Sequence, residues 1–332
     1  MAELIWKGKH NPYTQQTSPP APVLHTSEWF PEEAKQATGD WHNRLIYGDK
    51  QVVLPALLPE LAGRVNLIYI DPPFMTGHNF TNGSQFAYSD CWHNDLDSYL
   101  QWLYETLVLL HRLLAQSGCL YLHLDWRTTH YARAILDEIF TLPPQAGGAG
   151  FKNEIIWHYQ SGGRNRKSFA RKHDSILLYT KSAQYCFHGE RIGERRGTQR
   201  RNHMRKHVDA DGRTAWTIRS AGRIYTYDED TLLTPSDVWS DISHLHQKDP
   251  ERNSYATQKP EALLERIILA SSEEQDIVLD CFCGSGVTPA VAEHLGRRWI
   301  ACDQSELAMQ LTRARLLAKT GLRPFIVQTV AP

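Results

Sequence analysis

Residues 65–74 read VNLIYIDPPF, an apolar run that ends in the turn Asp71-Pro72-Pro73-Phe74. A second apolar run, DIVLDCFCGSG, occupies residues 276–286 and ends in Gly284-Ser285-Gly286. Short apolar runs bounded by turn residues predict buried strands, and along this chain such runs alternate with helical patterns. The alternation predicts an α/β protein with a doubly wound, mostly parallel sheet. In such a sheet ligands bind at the carboxyl ends of the strands, where both turns would lie.

The same patterns predict the other regular elements. Strands are predicted at residues 43–47, 119–125, 154–159, 175–180 and 298–302, and helices at 52–61, 95–114, 131–140, 261–270, 288–295 and 306–319. Residues 181–243 are polar and basic and lack long apolar periodicity, which indicates an inserted recognition region. Residues 1–39 contain Pro12, Pro19, Pro20, Pro22 and Pro31, so we expect an arm without regular structure.

The composition is that of an ordinary globular protein. The 332 residues are 41% hydrophobic and 22% charged, and no apolar run has the length of roughly 20 residues that a membrane helix needs. No stretch resembles a signal peptide, so a cytoplasmic location is expected. The six cysteines are scattered and contain no C-x-x-C pair, so neither a zinc site nor a disulfide framework is expected.

The formal net charge of -1 hides a basic segment. Residues 151–225 contain 17 Lys or Arg against 6 Asp or Glu, which predicts a surface that binds a polyanion. The candidate phosphate contacts are Arg164, Arg166, Lys167, Arg171 and Lys172. Ordinary solvated loop charges remain the alternative interpretation. Candidate contacts to bases are Asn79, Phe80, Trp216 and Tyr225, and core packing is the alternative for the three aromatic residues.

The glycine turn limits the choice of ligand. The third glycine of the dinucleotide fingerprint G-x-G-x-x-G is missing from its expected position, so the turn does not match that fingerprint. No Gly-Lys-Ser/Thr follows, so the turn does not match a P-loop either. Nicotinamide-dependent chemistry is therefore disfavoured. Asp303 ends the next predicted strand, where an acidic side chain can bind ribose hydroxyls. An adenosyl ligand without a pyrophosphate fits this pattern best, although a packing turn without a ligand is the simpler alternative.

With these motifs in hand, the chain resembles the β-class, permuted DNA amino-methyltransferases, especially the adenine-specific enzymes and the modification subunits of type III restriction systems. The resemblance covers about residues 44–316. Its motifs are Gly48-Asp49, LIYIDPPFMTG at 67–77, NEIIW at 153–157, KHDSILLYTK at 172–181, YATQKP at 255–260 and the glycine turn. Phe74 stands where tyrosine is commoner in the family, so aromatic stacking is kept but a hydroxyl is lost.

The resemblance implies the class I S-adenosylmethionine-dependent methyltransferase fold in circularly permuted form. It divides the chain into an N-terminal arm (1–39), a catalytic half (40–181), a target-recognition region (182–245), a cofactor-binding half (246–320) and a C-terminal tail (321–332). The implied partner is double-stranded DNA, in a nucleoid-associated enzyme without a membrane. A homodimer and a cognate restriction enzyme are left open.

The resemblance also implies the site residues. The catalytic residues would be Asp71, Pro72, Pro73 and Phe74. S-adenosyl-L-methionine, which becomes S-adenosyl-L-homocysteine, would be bound without a metal by Asp49, Asp71, Lys259, Asp280, Phe282, Cys283, Gly284, Ser285, Gly286, Thr288 and Asp303.

The residues of the Asp71 turn suit a reaction at an aromatic amine. Such an amine is a poor nucleophile, and two acceptors, the Asp71 carboxylate and the Pro72 carbonyl, would hold its hydrogens and stabilise positive charge on nitrogen. Phe74 would stack on a base that must first leave the duplex. This chemistry suits adenine and cytosine alike. The resemblance implies N6-adenine methylation in DNA, because the N4-cytosine relatives usually carry serine where Asp71 stands, and N4-cytosine methylation is the alternative. A non-catalytic DNA-binding protein with a decayed site is the hypothesis of a different class.

Overall fold

The computed structural model describes residues 3–11, 22–33, 41–82, 85–93, 95–140, 148–160, 166–195, 204–208, 212–253 and 255–330. The chain forms two compact units. The sheet unit comprises Met1–Cys186 and Asp237–Pro332, and the small unit comprises Phe187–Ser236. No helix among these described residues has the length and apolar character that crossing a bilayer requires.

A short 3-10 helix, Gly189–Ile192, lies in the small unit, but the sheet unit contains all of the described α-helices and most of the described strands. Its strands are β1 Leu24–Phe30, β2 Asn43–Tyr47, β3 Val65–Ile70, β4 Asn79–Asn82, β5 Gln85–Ser89, β6 Leu114–Leu124, β7 Gly150–His158, β8 His173–Thr180, β14 Val238–Trp239, β15 Ile277–Asp280, β16 Arg298–Asp303 and β17 Phe325–Val330. Its helices are α1 Lys50–Leu61, α2 Leu96–Leu113, α3 Thr129–Ile139, α4 Glu261–Ser271, α5 Val287–His294 and α6 Glu306–Leu317.

Ten strands form one mixed sheet in the order β1-β17-β2-β16-β15-β3-β6-β8-β7-β14. The central strands from β17 to β6 are mutually parallel, while β1 and β8 run antiparallel to their neighbours. The predicted α/β class with a mostly parallel sheet is confirmed. Because β3 and β15 are adjacent and parallel, the Asp71 turn and the glycine turn leave the same edge of the sheet.

Helices cover both faces of this sheet. On β3, Ile68 and Ile70 pack in the same buried cluster as α1, α2 and α3. The alternate residues Leu67 and Tyr69 pack in a second cluster with α4, α5 and α6. Side chains of a strand point alternately to opposite faces, so this partition shows a sheet buried on both sides. It explains why β3 reads as a nearly continuous apolar run.

The predictions for the two chain ends were partly wrong. Within the expected arm, Leu24–Phe30 forms the edge strand β1, and within the expected tail, Phe325–Val330 forms β17, its antiparallel partner. Pro22 and Pro31 flank β1 and leave its interior free to pair, so the density of prolines was misleading. Phe325 is fully buried, and Trp6, also in the expected arm, is buried and donates to Gln101 at 3.2 Å.

The small unit is built from short strands. β10 Arg205–Val208, β11 Thr214–Ser220 and β12 Arg223–Asp228 form an antiparallel sheet, and β9 Glu194–Arg195 pairs with β13 Leu232–Leu233. Trp216 on β11 is only 1% exposed, whereas Tyr225 on β12 is 42% exposed. Of the two interpretations of Trp216, core packing is therefore the one that the structure supports.

Candidate active site

Asp71 lines the first of two cavities in the sheet unit, and its ion-pair partner Lys259 lines both. Asp71 follows β3 directly, and its Oδ2 atom accepts a hydrogen bond in an ion pair with Lys259. Its other oxygen, Oδ1, is buried and has no hydrogen-bond partner within the described part of the chain. A buried carboxylate oxygen without a donor is costly, so it marks a place where a ligand can supply the missing hydrogen.

The first cavity encloses about 810 Å³ of atom-free space beside the two turns. It brings together most of the predicted cofactor residues: Asp71, Lys259, Asp280, Phe282, Cys283, Gly284, Ser285, Thr288 and Asp303. Pro73 of the catalytic motif also lines it. Thr257 also lines it, as the resemblance implied for the segment 257–260 beside the methionine end of the cofactor. The side chains that sequence reasoning missed include Lys50, Tyr69, Tyr88, Trp102, Tyr255, Leu264 and Gln304.

The glycine turn needs both of its glycines. Gly284 and Gly286 have φ angles of +46° and +76°, in the left-handed region. A Cβ on Gly284 would lie 2.9 Å from the Tyr255 ring, and one on Gly286 would lie 2.7 Å from the Thr312 backbone. Gly286 precedes α5 and does not line the cavity, so its observed part is to allow close packing.

The buried carboxylate of Asp280 and the half-buried carboxylate of Asp303 fix the shape of this turn. Asp280 accepts from the Thr288 hydroxyl at 2.5 Å and the Phe282 N–H at 2.9 Å. Asp303 accepts from the Gly284 and Ser305 N–H groups, both at 2.9 Å. Burial raises the pKa of Asp280 to about 7 and that of Asp303 to about 6, although these hydrogen bonds act in the opposite direction.

The far wall of the first cavity combines a lysine with aromatic rings. Lys50 Nζ lies 4.3 Å from the centroid of the Trp102 ring, which is tilted against Phe282 at 5.6 Å. Burial lowers the pKa of Lys50. The neighbouring Asp49, a predicted cofactor residue, instead caps α1 by accepting from the Gln51 N–H at 2.6 Å. Asp49 does not line the cavity, and its role in binding stays a prediction.

Asp90 holds the backbone after the catalytic motif. Its carboxylate accepts from the N–H groups of Phe74, Met75 and Thr76 at 3.2, 2.8 and 2.8 Å. The Thr76 hydroxyl adds a hydrogen bond at 2.6 Å. Tyr99 completes the support, because its hydroxyl donates to the Pro73 carbonyl at 3.0 Å. The turn is thus held by residues from outside the motif, none of which sequence reasoning identified.

A second cavity opens on the other side of Lys259. It contains about 1190 Å³ of atom-free space, is open to solvent, and shares Thr257 and Lys259 with the first cavity. Aromatic side chains of Phe74, Trp157 and Tyr159 line it, together with the carboxylates of Asp125 and Asp174. Pro72 is buried and lines neither cavity.

A buried chain of hydrogen bonds runs between the two cavities. Tyr69 Oη lies 2.9 Å from His123 Nδ1, and His123 Nε2 lies 3.1 Å from Asp174 Oδ2. Tyr159 donates to the other Asp174 oxygen at 2.8 Å. Burial acts to raise the pKa of Asp174, but the hydrogen bond from His123 and the nearby charges outweigh it, and the net pKa is lowered. The Phe74 ring stacks on His123 at 6.1 Å, so this chain also supports the catalytic motif.

The predicted DNA contacts lie outside both cavities. Arg166, Lys167 and Arg171 are exposed and Lys172 is half-buried, in the connection between β7 and β8. Arg164 lies outside the described residues. Asn79 is exposed on β4, opposite Ser89 of β5. Their contact with DNA stays a prediction.

Known proteins resemble this chain in sequence and in fold. A family model described as DNA methylase matches residues 65–314. The chain is 30% identical to the DNA adenine methyltransferase YhdJ of Escherichia coli K12 over 84% of each chain. It is also 30% identical to the type II methyltransferase M.HpaI of Haemophilus parainfluenzae, over 76% of this chain and 68% of the relative.

Solved structures show the same fold at lower identity. The TTHA0409 protein of Thermus thermophilus matches with a TM-score of 0.53 and 18% identity, over 87% of this chain and all of that one. The PvuII DNA methyltransferase, described as cytosine-N4-specific, matches with a TM-score of 0.54 and 14% identity, over 84% and 88% of the two chains. The matched family segment begins at β3 and ends in α6, so it includes both turns and every residue that lines the two cavities except Lys50. The chain belongs to the DNA methylase family.

Proposed function

We propose that this chain transfers the methyl group of S-adenosyl-L-methionine to the exocyclic N6 of an adenine in DNA. The observation that carries the proposal is Asp71, which lines the first cavity, has a buried and unpaired Oδ1 atom in the described structure, and pairs with Lys259, which lines both cavities. The first curated relative is named a DNA adenine methyltransferase, which supports adenine as the base.

The first cavity fits the proposed cofactor. Gly284 and Ser285 of the glycine turn and the Asp303 carboxylate line it together, and a Cβ on Gly284 would come within 2.9 Å of the Tyr255 ring, which also lines it. Asp303 would hold the ribose, the wall of Trp102, Phe282 and Lys50 would face the adenine, and Lys259 with Thr257 would border the methionine end. When bound, S-adenosyl-L-methionine supplies a methyl group made electrophilic by its sulfonium, and S-adenosyl-L-homocysteine remains as the product.

Asp71 and the Pro72 carbonyl would orient the amine. Each would accept one of its two hydrogens, which leaves the nitrogen lone pair free to attack. The Pro73 carbonyl already accepts from Tyr99, which favours Pro72 as the second acceptor. Positive charge develops on the nitrogen during the attack, and the Asp71 carboxylate would stabilise it. Because the two prolines restrict the backbone and Asp90 anchors the residues after them, these acceptors are held in place before the base arrives.

The second cavity would take the base. The edge of a base that carries the reacting amine is buried inside a duplex, so the base must swing out to reach Asp71. Phe74, Trp157 and Tyr159 offer aromatic surfaces against which it would stack. Asp125 and Asp174 are the polar groups on the same wall.

The finer architecture is also part of the proposal. We place the chain in the permuted β-class, similar to type III modification subunits, with a target-recognition region at 182–245. Support comes from the chain order, in which β3 and its catalytic turn precede β15 and the glycine turn, and from the separate compact unit Phe187–Ser236. Duplex DNA is the proposed partner, and sedimentation of the purified chain would test for a homodimer.

Methyl transfer to DNA tests the proposed function. Tritiated S-adenosyl-L-methionine and DNA are incubated with the chain, and the labelled nucleoside is then identified. We expect N6-methyladenine with the wild type and a rate at least about 100-fold lower with Asp71→Ala, because one electrostatic contact of this kind is worth that much. Labelled N4-methylcytosine would replace the proposal by its alternative, and labelled RNA or protein with unlabelled DNA would overturn both.

A further inference from the structure

Phe169 has the most exposed large apolar side chain among the described residues, with 99% of its surface accessible. A single exposed apolar residue is common on protein surfaces and carries no meaning by itself. The position of Phe169 and the chemistry of its neighbours set it apart from the other exposed side chains.

Phe169 belongs to the segment 166–172, here called the rim loop, which lies at the rim of the second cavity. The base of this loop is closed by a hydrogen bond of 2.9 Å from the Tyr159 N–H to the Lys172 carbonyl. Tyr159 and Asp174, one on each side of the loop, both line the second cavity. The cavity proposed for the extruded base therefore lies next to the base of the rim loop.

The rim loop is fixed to the sheet unit by an aromatic stack. The Arg171 guanidinium lies 3.7 Å from the centroid of the Trp126 ring, which is itself 46% exposed. Arg127 lies over the same ring at 4.9 Å and forms an ion pair with Asp125, which lines the second cavity. Stacking between a guanidinium and an indole is attractive, so it restrains the loop beside the cavity.

The positive charge of the rim loop indicates a partner that carries phosphates. Arg166, Lys167, Arg171 and Lys172 surround Phe169, and no acidic residue occurs between positions 166 and 173. Cations at this density attract phosphates, while an exposed phenyl ring needs an apolar or aromatic surface to cover it. A nucleic-acid duplex offers both within a few ångströms, because its stacked bases lie between two phosphate backbones.

We propose that Phe169 inserts into the base stack of the DNA at the place that the extruded base leaves. The inference rests on the proposed function, because only a base-extruding enzyme creates that gap. Extrusion costs the stacking and pairing of one base, and an apolar side chain that fills the gap restores part of the lost stacking. The cations of the rim loop hold the flanking phosphates, and the Trp126 stack keeps the loop beside the cavity that receives the base.

The test compares duplexes that differ in the cost of extrusion. One carries a site that the wild type methylates, with the target base paired. The other has an abasic position opposite the same target, so that no pair must be broken. The variants are Phe169→Ala, Phe169→Leu, which keeps an apolar side chain, and Ile5→Ala as a control. Ile5 is 77% exposed and lies next to Trp6, which packs against α2.

We expect Phe169→Ala to slow single-turnover methylation of the paired duplex about tenfold or more and that of the abasic duplex less than about twofold, because extrusion from the abasic duplex breaks no base pair and therefore depends less on a side chain that offsets its cost. Phe169→Leu should fall between the alanine variant and the wild type, and Ile5→Ala should equal the wild type. With 2-aminopurine at the target position, the fluorescence increase on binding should be smaller for Phe169→Ala, and this signal requires no methyl transfer.

Equal slowing on both duplexes, or no slowing on either, would overturn the role of Phe169 and leave the proposed function standing. A wild type that methylates no DNA, so that no such site exists, would overturn the proposed function and this inference with it.

Discussion

Asp90 determines where the catalytic turn lies, although it does not line either cavity. Its carboxylate accepts three consecutive backbone N–H groups after Pro73. Asp90→Ala would leave these donors without their acceptor, at a cost of about 1–3 kcal/mol for each that stays buried. We expect kcat to fall at least about tenfold, because an acceptor displaced by an ångström no longer orients the amine. Steady-state kinetics on DNA would measure this, with the affinity for S-adenosyl-L-homocysteine changed much less.

Asp95→Ala is the matched control for that variant. Asp95 caps α2 by accepting from the Ser98 N–H at 3.1 Å and lines neither cavity. Its loss should lower the free energy of unfolding by about 1 kcal/mol, as for other helix caps, without lowering kcat. Equal losses of kcat in the two variants would show that Asp90 acts through general stability.

Asp303 should make the stability of the ligand-free chain depend on pH. Its pKa is raised to about 6 by burial, whereas an unfolded aspartate ionises near a pH of about 4. Between these values the folded chain holds a proton that the unfolded chain has lost, so the free energy of unfolding falls as the pH rises through this window. Urea unfolding at about pH 4 and about pH 7 would measure the slope. In Asp303→Asn the decrease should be smaller, and an unchanged slope would contradict the assignment.

The site residues that sequence reasoning found are those carried by local motifs. Asp71, Gly284 and Asp303 each follow an apolar run, so their place at the sheet edge follows from strand direction alone. Asp90 could not be found in this way. It reaches Phe74 only because the hairpin of β4 and β5 folds back, as the paired backbones of His78 and Asp90 show. Its partners are backbone groups, which leave no pattern in the sequence.

Alanine substitution at the junction between β15 and α5 would measure how strictly the conformation of the glycine turn is constrained. Gly286→Ala places a Cβ 2.7 Å from Thr312 Cα at a φ of +76°. Gly63→Ala is the matched control, since Gly63 has a φ of +68° and nothing within 4 Å of its Cβ position. Both variants incur a backbone strain of about 1 kcal/mol. Only in Gly286→Ala must α6, which carries Thr312, also shift to make room for the new Cβ.

We therefore expect thermal unfolding to show a larger loss of stability for Gly286→Ala than for Gly63→Ala. Binding of S-adenosyl-L-homocysteine should weaken only in the first variant, because the turn lines the first cavity. Equal losses of stability would show that the backbone angle, and not the contact with Thr312, is what matters.

The buried strands and most helices were predicted well because both faces of the central sheet are covered. β3 and β15 carry continuous apolar runs, which only burial on both sides produces. The edge strands were missed for the opposite reason. β1 is largely exposed along its first four residues, and β14 has only two residues, Val238 and Trp239, which pair with β7 from far along the chain. Neither leaves a periodicity that a sequence window detects.

The division into two units predicts which functions can be separated. All ten strands of the main sheet and both large buried clusters belong to the sheet unit. The residues that flank the small unit are hydrogen-bonded in the sheet unit, Cys186 to Ser117 at 3.1 Å and Asp237 to Ile156 at 2.7 Å. A chain in which a Gly/Ser linker replaces residues 187–236 should therefore keep the sheet folded.

For this deletion variant we expect the affinity for S-adenosyl-L-homocysteine to stay within about threefold of the wild type, because every residue that lines the first cavity belongs to the sheet unit. Selectivity among DNA sequences should be lost if the small unit reads the target. Calorimetry and methylation of mixed duplexes would measure the two quantities. Retained sequence selectivity would place target recognition in the sheet unit instead.

Lys259 brings one further consequence, because a single ammonium group borders both cavities and already neutralises Asp71. A ligand in either cavity that changes the position of this ammonium changes the electrostatic potential in the other cavity. The two binding equilibria are then linked through one shared cation. If the nucleoside ligand changes the affinity for DNA by some factor, DNA changes the affinity for the nucleoside ligand by the same factor. The reason is that the free energy of the ternary complex does not depend on the order of assembly.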